Sequence, residues 1–117
     1  MVTIKEFLKK TLTKDSFGHV GVRDRALCKD GFNISIQANW ATYCHPRADL
    51  DDCEYEDVEL GFPSEADDLI KEYAEDSTDL TDTVYGWVPV TVVQELVDKH
   101  GGIIGSFRPI EWRARYE

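Results

Sequence analysis

The chain has 117 residues, of which 42% are hydrophobic and 31% are charged, and its formal net charge is −10. This length and composition exclude a disordered chain and predict a single domain with one core. No apolar run reaches the roughly 20 residues of a membrane-spanning helix, and no continuous apolar stretch follows the N-terminal lysines as in a signal peptide, so we expect a cytoplasmic protein.

The first predicted element is an amphipathic helix over residues 3–12. Thr3 and Glu6 match the capping box, in which a threonine and a glutamate three residues later each bind the backbone N–H of the other. Two weaker strand candidates follow, over residues 19–24 and 25–29.

The clearest predicted strand covers residues 32–40 and follows a hairpin turn at Asp30 and Gly31, where glycine supplies the positive φ of a tight turn. Apolar and neutral polar residues alternate along this strand, which is typical of a strand with one buried face. We therefore expect Trp40 to be buried and the polar face to lie in water.

A second strand is predicted over residues 54–62, with Asp57 and Glu59 on its exposed side. Residues 64–75 are predicted to form a helix, because Ser64 is a favourable N-cap and apolar residues follow at helical spacing. This expected buried stripe consists of Ala66, Leu69, Ile70 and Tyr73.

The last third of the chain predicts a short strand over residues 84–88 and a helix over residues 90–100, which two glycines end. His100 lies in the last turn of that helix, where a basic residue suits the negative end of the helix dipole. Residues 103–117 are expected to add an edge strand or a packed tail around Phe107, Ile110, Trp112 and Tyr116.

Together these elements predict an α+β fold, in which helices pack against an antiparallel sheet. The residues expected to meet in its core are Ile34, Ile36, Trp40, Leu69, Ile70, Leu96 and Val97.

Three cysteines, Cys28, Cys44 and Cys53, are an odd number in a domain that needs no disulfide, so reduced thiols are expected. Cys44, His45 and Cys53 lie close in sequence, but their spacing matches no zinc-ligand pattern. We therefore expect neither a metal nor any other cofactor.

Familiar catalytic and calcium motifs are also missing. An EF-hand loop that starts at Asp49 would need glycine at position 54 and glutamate at position 60, where the chain has Glu54 and Leu60. There is no phosphate-binding glycine loop, no nucleophile elbow and no zinc-protease motif. These absences favour a binding protein over an enzyme.

The negative charge is concentrated in the middle of the chain. Residues 49–82 contain 15 acidic residues and one lysine, a net charge of −14, whereas the rest of the chain carries +4. Such a distribution predicts a face that repels nucleic acid and binds a basic, DNA-binding protein surface, where regularly spaced carboxylates imitate phosphates. The candidate partner-binding residues are Asp49, Asp51, Asp52, Glu54, Glu56, Asp57, Glu59, Glu65, Asp67, Asp68, Glu72, Glu75, Asp76, Asp79 and Asp82.

The chain resembles a class of small proteins encoded by phages and prophages, in residues 30–32, 34–38, 43–47, 61–64, 73–76 and 85–90. In size and charge it is also similar to acidic anti-CRISPR and anti-restriction inhibitors, several of which imitate DNA. This resemblance implies an inhibitor that binds a CRISPR effector or a restriction complex, competes with target DNA and uses no cofactor. It assigns no role to any individual residue.

Three other interpretations remain open. In the first, the acids only keep the domain soluble. In the second, the chain is a small phage regulatory or assembly module, which binds a protein partner without imitating DNA. A metal-assisted enzyme that uses Cys44, His45 and nearby acids is the third. Salt-sensitive binding favours the inhibitor, salt-insensitive binding favours the assembly module, and bound metal favours the enzyme.

Overall fold

A computed structural model describes residues 2–108 of the chain. It contains two α-helices and five β-strands, with a single 3₁₀ turn between the third and fourth strands. In chain order the elements are α1 (Ile4–Lys10), β1 (Arg25–Cys28), β2 (Asn33–Gln37), β3 (Asp57–Gly61), the 3₁₀ turn (Lys71–Tyr73), β4 (Val84–Pro89), α2 (Val90–Lys99) and β5 (Ile103–Phe107).

The five strands form one sheet in the order β4-β3-β2-β1-β5, and each neighbouring pair is antiparallel. The predicted hairpin connects β1 and β2, and Gly31 at its turn has a φ of +97°, a conformation that glycine adopts without strain. The sheet and its two helices confirm the α+β prediction.

The core lies between the two helices and one face of the sheet. Buried residues of both helices belong to the same cluster as alternate residues of β2 and β3, which is how a helix stripe and a sheet face share one core. The predicted core residues Ile34, Ile36, Ile70, Leu96 and Val97 are buried there, and Leu69 packs against the cluster while partly exposed.

Local signals position both helices well. Thr3 and Glu6 form the predicted capping box at the start of α1. α2 ends at Lys99, and Gly101 and Gly102 each have a φ of +91° just beyond it. A side chain at Gly101 would also lie 2.8 Å from the Lys29 Cβ, so both φ and space require glycine there.

The prediction of a helix over residues 64–75 is wrong. Apart from the short 3₁₀ turn, this part of the chain is irregular. Ser64 caps no helix; its hydroxyl accepts the Asn33 N–H at 2.9 Å. Asp67 instead forms a local turn, with its carboxylate accepting the Leu69 N–H at 3.0 Å, and such side chain–backbone bonds compete with helix formation.

The expected burial pattern of residues 32–40 is also partly wrong. Trp40 is 55% exposed, whereas the polar residues Ser35, Gln37 and Asn39 are buried. The strand stops at Gln37, so the alternation no longer determines where Trp40 points. The Gln37 side chain accepts the Arg23 N–H and donates to the Arg23 carbonyl, at 2.8 and 2.9 Å.

Arg23 is fully buried, which is unusual for an arginine. Its guanidinium donates to the carbonyls of Leu8 and Ala38, at 3.1 and 2.6 Å, and lies 3.7 Å from the Cys53 sulfur. The side chain therefore joins the end of α1, the chain beyond β2 and the beginning of residues 49–82, which we call the acidic segment. No carboxylate of residues 2–108 forms an ion pair with it.

The remaining sequence predictions fall at the ends of the sheet. β5 forms the predicted edge strand beside β1, and the weak strand candidate over residues 19–24 contributes only an isolated bridge at Val20. Ile110, Trp112 and Tyr116 lie outside the described residues. Within residues 2–108 no helix has the length and apolar character needed to cross a membrane.

Candidate binding surface

The first acids of residues 49–82 support the loop that precedes β3. The Asp49 carboxylate accepts the N–H of Trp40 at 3.0 Å and that of Val20 at 3.3 Å, and it lies 3.5 Å from Nδ1 of His19. One carboxylate thus serves as the hydrogen-bond acceptor for backbone N–H groups of two separate loops. Asp49 is therefore a structural residue more than a free surface charge.

Other acids of this loop pair with the N-terminal part of the chain. Asp51 forms an ion pair with Lys14, and Glu54 forms one with Lys5. Asp52 accepts the Glu54 N–H at 3.0 Å. Asp51, Asp52 and Glu54 are exposed, but part of their charge is compensated by basic side chains.

The alternation predicted that the acids of β3 lie on an exposed face of the sheet. This prediction is wrong. Asp57 and Glu59 are both partly buried, and burial raises the pKa of each. Glu59 Oε2 accepts the Tyr43 N–H at 3.0 Å, whereas Asp57 Oδ1 is buried without a hydrogen-bond partner among the described residues. Glu56 is exposed, with its carboxylate 3.9 Å from the His45 ring.

Asp67 is the most buried acid of the candidate set, with a side chain only 3% exposed. Its carboxylate binds Lys99 at 3.1 Å and Nε2 of His100 at 3.0 Å, while Nδ1 of His100 binds Asp30 at 2.7 Å. The imidazole also stacks on Phe32 at a centroid distance of 4.0 Å. This cluster ties the β1–β2 turn and the end of α2 to the acidic segment.

Protonation follows from this geometry. Burial acts to lower the pKa of His100, but the hydrogen bonds to Asp30 and Asp67 outweigh it and raise the pKa. Burial acts to raise the pKa of Asp67, and the bonds from Leu69, His100 and Lys99 lower it. With carboxylates at both ring nitrogens, a protonated His100 has no lone pair with which to act as a base. The sequence predicted only that His100 suits the negative end of the helix dipole. It did not reveal Asp30 and Asp67 as partners of the imidazole.

Seven acids of residues 65–82 are exposed, and we refer to them as the open acids. Six of them lie on irregular chain and Glu72 lies in the 3₁₀ turn, and Lys71 is the one basic residue in the sequence between them. Asp76 shapes its own turn, because its carboxylate accepts the Thr78 N–H at 2.9 Å. The open acids are Glu65, Asp68, Glu72, Glu75, Asp76, Asp79 and Asp82.

A groove of about 360 Å³ borders the open acids. Its aromatic walls are Tyr43 and Trp87, which stack at a centroid distance of 4.8 Å, and Tyr73. Glu75 supplies a carboxylate from the open acids, and the rest of the lining is Ala74 and Gly86. We refer to this site as the aromatic groove.

The aromatic groove depends on a close approach between the loop around Tyr43 and strand β4. The Trp87 N–H donates to the Tyr43 carbonyl at 2.9 Å, and a Cβ at Gly86 would lie 3.3 Å from the Tyr43 Cβ. The sequence does not reveal the aromatic groove, because residues 43, 73 and 87 are far apart along the chain. No spacing or motif in the sequence connects these three aromatic residues.

The residues considered for a metal site are arranged differently. Cys44 and Cys53 are buried, and the Cys44 thiol donates to the carbonyls of Asn39 and Pro46, at 3.3 and 3.4 Å. In the part of the chain that the structure describes, no three His, Cys, Asp or Glu side chains form a group suited to a metal ion. All three cysteines are free thiols, and burial raises the pKa of Cys28 to about 11.

Comparison of the chain with protein-family models, curated proteins and solved structures finds no match. The function must therefore be argued from the surface of the molecule itself.

Proposed function

We propose that this chain is an inhibitory binding protein, whose open acids dock on the basic, DNA-binding surface of another protein. The observation that carries the proposal is the exposure of seven carboxylates within residues 65–82, which contain a single lysine. Such a surface attracts a cluster of Lys and Arg side chains and repels phosphate. The proposal requires no cofactor and no catalytic step.

The fold leaves only some of the acids predicted from the sequence available to a partner. Asp57, Glu59 and Asp67 are withdrawn from the surface, and Asp49 is committed to backbone groups. The regular spacing of exposed carboxylates that was expected along a strand and a helix is therefore absent from these residues. What remains is a high local density of carboxylate, which is sufficient to compete for a basic surface without reproducing the phosphate spacing of DNA.

Solvation alone explains the open acids less well. A soluble domain of this size needs only a modest net charge, whereas here seven carboxylates repel one another within a short stretch. Like charges destabilise the compact state, so their concentration is better explained by a partner that neutralises them. The resemblance to anti-CRISPR and anti-restriction inhibitors makes CRISPR effectors and restriction complexes the first partners to test.

The test is charge reversal at positions that do not support the fold. Asp68→Lys combined with Glu72→Lys removes two open acids, and Glu95→Lys combined with Asp98→Lys is the matched control on the exposed face of α2. Binding to purified CRISPR effector and restriction complexes is measured with and without competing DNA, at low and high salt. We expect the first variant to associate more slowly and with a weaker salt dependence than the control. Equal binding by both variants, or simultaneous binding of DNA and this protein, would contradict the proposal.

One observation favours the assembly module as a second candidate. Phe17, Trp40 and Ile104 are 85%, 55% and 64% exposed, and a partner that buries such large apolar side chains gains hydrophobic stabilisation. Binding through these side chains would persist at high salt and would be lost on Trp40→Ala, while Asp68→Lys with Glu72→Lys would leave it intact.

A further inference from the structure

The aromatic groove has the composition of a site for a cation. Tyr43, Tyr73 and Trp87 offer aromatic rings, and Glu75 places a carboxylate beside them. Aromatic faces attract cations through their negative electrostatic potential, and a carboxylate adds a charged hydrogen-bond acceptor. An anionic or purely apolar ligand would leave Glu75 without a partner.

Trp87 is held in an unusual way for an exposed residue. Its φ is +50°, in the left-handed region, and its side chain is 54% exposed. Left-handed backbone is unfavourable for a residue other than glycine, and the core gains little from a ring that remains half in water. This backbone belongs to the bulge that β4 forms opposite β3 between Tyr85 and Val88, and such bulges direct a side chain out of the regular sheet pattern.

The structure also shows that one of these rings accepts a guanidinium group. The Arg47 guanidinium carbon lies 5.6 Å from the centroid of the Tyr43 ring, within the distance of a cation–π contact. Trp87 stacks on the same Tyr43 ring. Because indole is the strongest cation–π partner among the aromatic side chains, Trp87 is well suited to receive a second guanidinium.

We propose that the aromatic groove binds an arginine side chain of the protein partner, with the guanidinium against Trp87 and its N–H groups directed at Glu75. This inference rests on the proposed function, since it assumes a partner with a basic surface, and it names the residue type that gives that surface specificity. The volume of about 360 Å³ lies at the small end of ligand pockets, about 300–1,000 Å³, as suits a single side chain.

Arginine fits the groove better than lysine for a geometric reason. The guanidinium is planar, so it stacks on an aromatic ring and still donates hydrogen bonds in its own plane. A lysine ammonium is a compact, strongly hydrated charge that gains less from an aromatic wall. The open acids outside the groove attract both side chains through charge alone, so discrimination between them is the property specific to the groove.

The experiment uses the full chain with fluorescently labelled hexa-arginine and hexalysine peptides, whose affinities are measured by anisotropy. Trp87→Ala tests the ring, and Trp40→Ala is its control, because the two tryptophans are 54% and 55% exposed. Glu75→Gln tests the carboxylate, and Glu72→Gln controls for the loss of one open acid. Thermal unfolding of each variant verifies that it is folded, and Glu75→Gln keeps the test valid if Trp87→Ala does not fold.

We expect the wild-type chain to bind hexa-arginine more tightly than hexalysine. Trp87→Ala should weaken hexa-arginine binding by about three- to tenfold and leave hexalysine binding nearly unchanged, and both controls should retain the preference. Equal affinity for the two peptides, no binding of either, or an arginine preference that survives both Trp87→Ala and Glu75→Gln would overturn the inference.

The same peptides separate this inference from the proposed function. Asp68→Lys combined with Glu72→Lys should weaken both peptides alike, because these acids lie outside the groove lining. If that variant weakens both peptides and the groove variants change nothing, the acidic surface stands and the groove inference fails. If the groove variants remove the arginine preference but no DNA-binding complex is inhibited, the groove stands and the proposed function fails.

Discussion

Residues 49–59 and residues 65–82 carry seven and eight acidic side chains, and the fold uses the two sets differently. In the first stretch Asp49 binds backbone N–H groups, Asp51 and Glu54 pair with lysines, and Glu59 is partly buried beneath the Tyr43 loop. In the second stretch only Asp67 is buried, and the other seven side chains are exposed. Acid content is nearly equal, but availability to a partner is not.

This difference shows that a charged segment is not a functional unit by composition alone. A carboxylate that replaces a backbone partner contributes to stability, and its replacement changes the fold before it changes binding. A carboxylate on irregular, exposed chain contributes little to stability. The effect expected for the same chemical substitution therefore depends on whether the acid supports the fold or lies exposed.

The largest effect is expected at Asp67, the buried exception in the second stretch. Asp67→Asn removes the charge that Lys99 and His100 share, so the free energy of unfolding should fall by about 2–3 kcal/mol. The neighbouring Asp68→Asn is the control, since its side chain is exposed and its replacement should have almost no effect. Urea unfolding of both variants is the measurement, and equal stability would show that Asp67 is not a structural anchor.

A smaller effect is expected at Asp49, in the first stretch. Asp49→Ala removes the acceptor for the N–H groups of Trp40 and Val20, and should lower the free energy of unfolding by about 1–2 kcal/mol. Glu72→Ala, in the second stretch, should leave stability unchanged. If the two variants were equally stable, the contrast between the stretches would disappear.

The local elements of the fold were predictable from the sequence. The capping box at Thr3, the glycine turn at Gly31 and the pair of glycines after α2 each act within a few residues, so short-range patterns suffice to find them. Residues 64–75 misled the prediction because the helical spacing of apolar residues is genuine. There, Asp68 and Glu72 would repel one another at helical spacing, and Asp67 forms its local turn and binds His100 and Lys99 instead.

The candidate site was less predictable, for a reason that also concerns distance along the chain. Sequence analysis identified the acidic segment, but not which carboxylates are withdrawn, because burial of Glu59 and Asp67 depends on the distant Tyr43 loop and on the end of α2. Likewise, Tyr43, Tyr73 and Trp87 meet only in the folded protein. Composition predicts that a charged surface exists, and tertiary contacts decide where it lies.

The pH dependence of stability provides a third way to examine the Asp67 anchor. His100 faces Asp30 and Asp67, with Lys99 sharing Asp67, and its pKa is raised above 6.5. The folded state therefore binds a proton more tightly than the unfolded state, so this stabilisation is complete below pH 6.5 and is lost as the pH rises through the folded pKa.

Unfolding measured between about pH 6 and 9 should show this loss in the wild-type chain and not in His100→Gln. His45→Gln is the control, since it also removes one histidine but at an exposed position. A His100→Gln profile parallel to that of the wild-type chain would contradict the ion-pair assignment.

The smallest effect, of opposite sign, is expected at Glu59. Burial first, and then the nearby charge of Glu75, raise its pKa above 4.5, so ionised Glu59 lowers stability at neutral pH. Glu59→Gln removes the charge and retains an oxygen to accept the Tyr43 N–H, and should stabilise the protein by about 0.5–1 kcal/mol at pH 7.

The gain from Glu59→Gln should disappear below about pH 4.5, where the wild-type carboxyl is protonated as well. The exposed Glu56→Gln should give no such gain at either pH. A destabilised Glu59→Gln variant would show that the carboxylate is needed in its charged form.

The buried Arg23 has a consequence for a molecule with a net charge of −10. Arginine carries a positive charge, so the protein contains a cationic group in its interior beneath an anionic surface. Dissolved ions screen exposed charges far more than buried ones. Added salt therefore relieves the repulsion among the surface carboxylates and has little effect on the hydrogen bonds that Arg23 makes in the interior, so we expect the stability of the fold to rise with ionic strength.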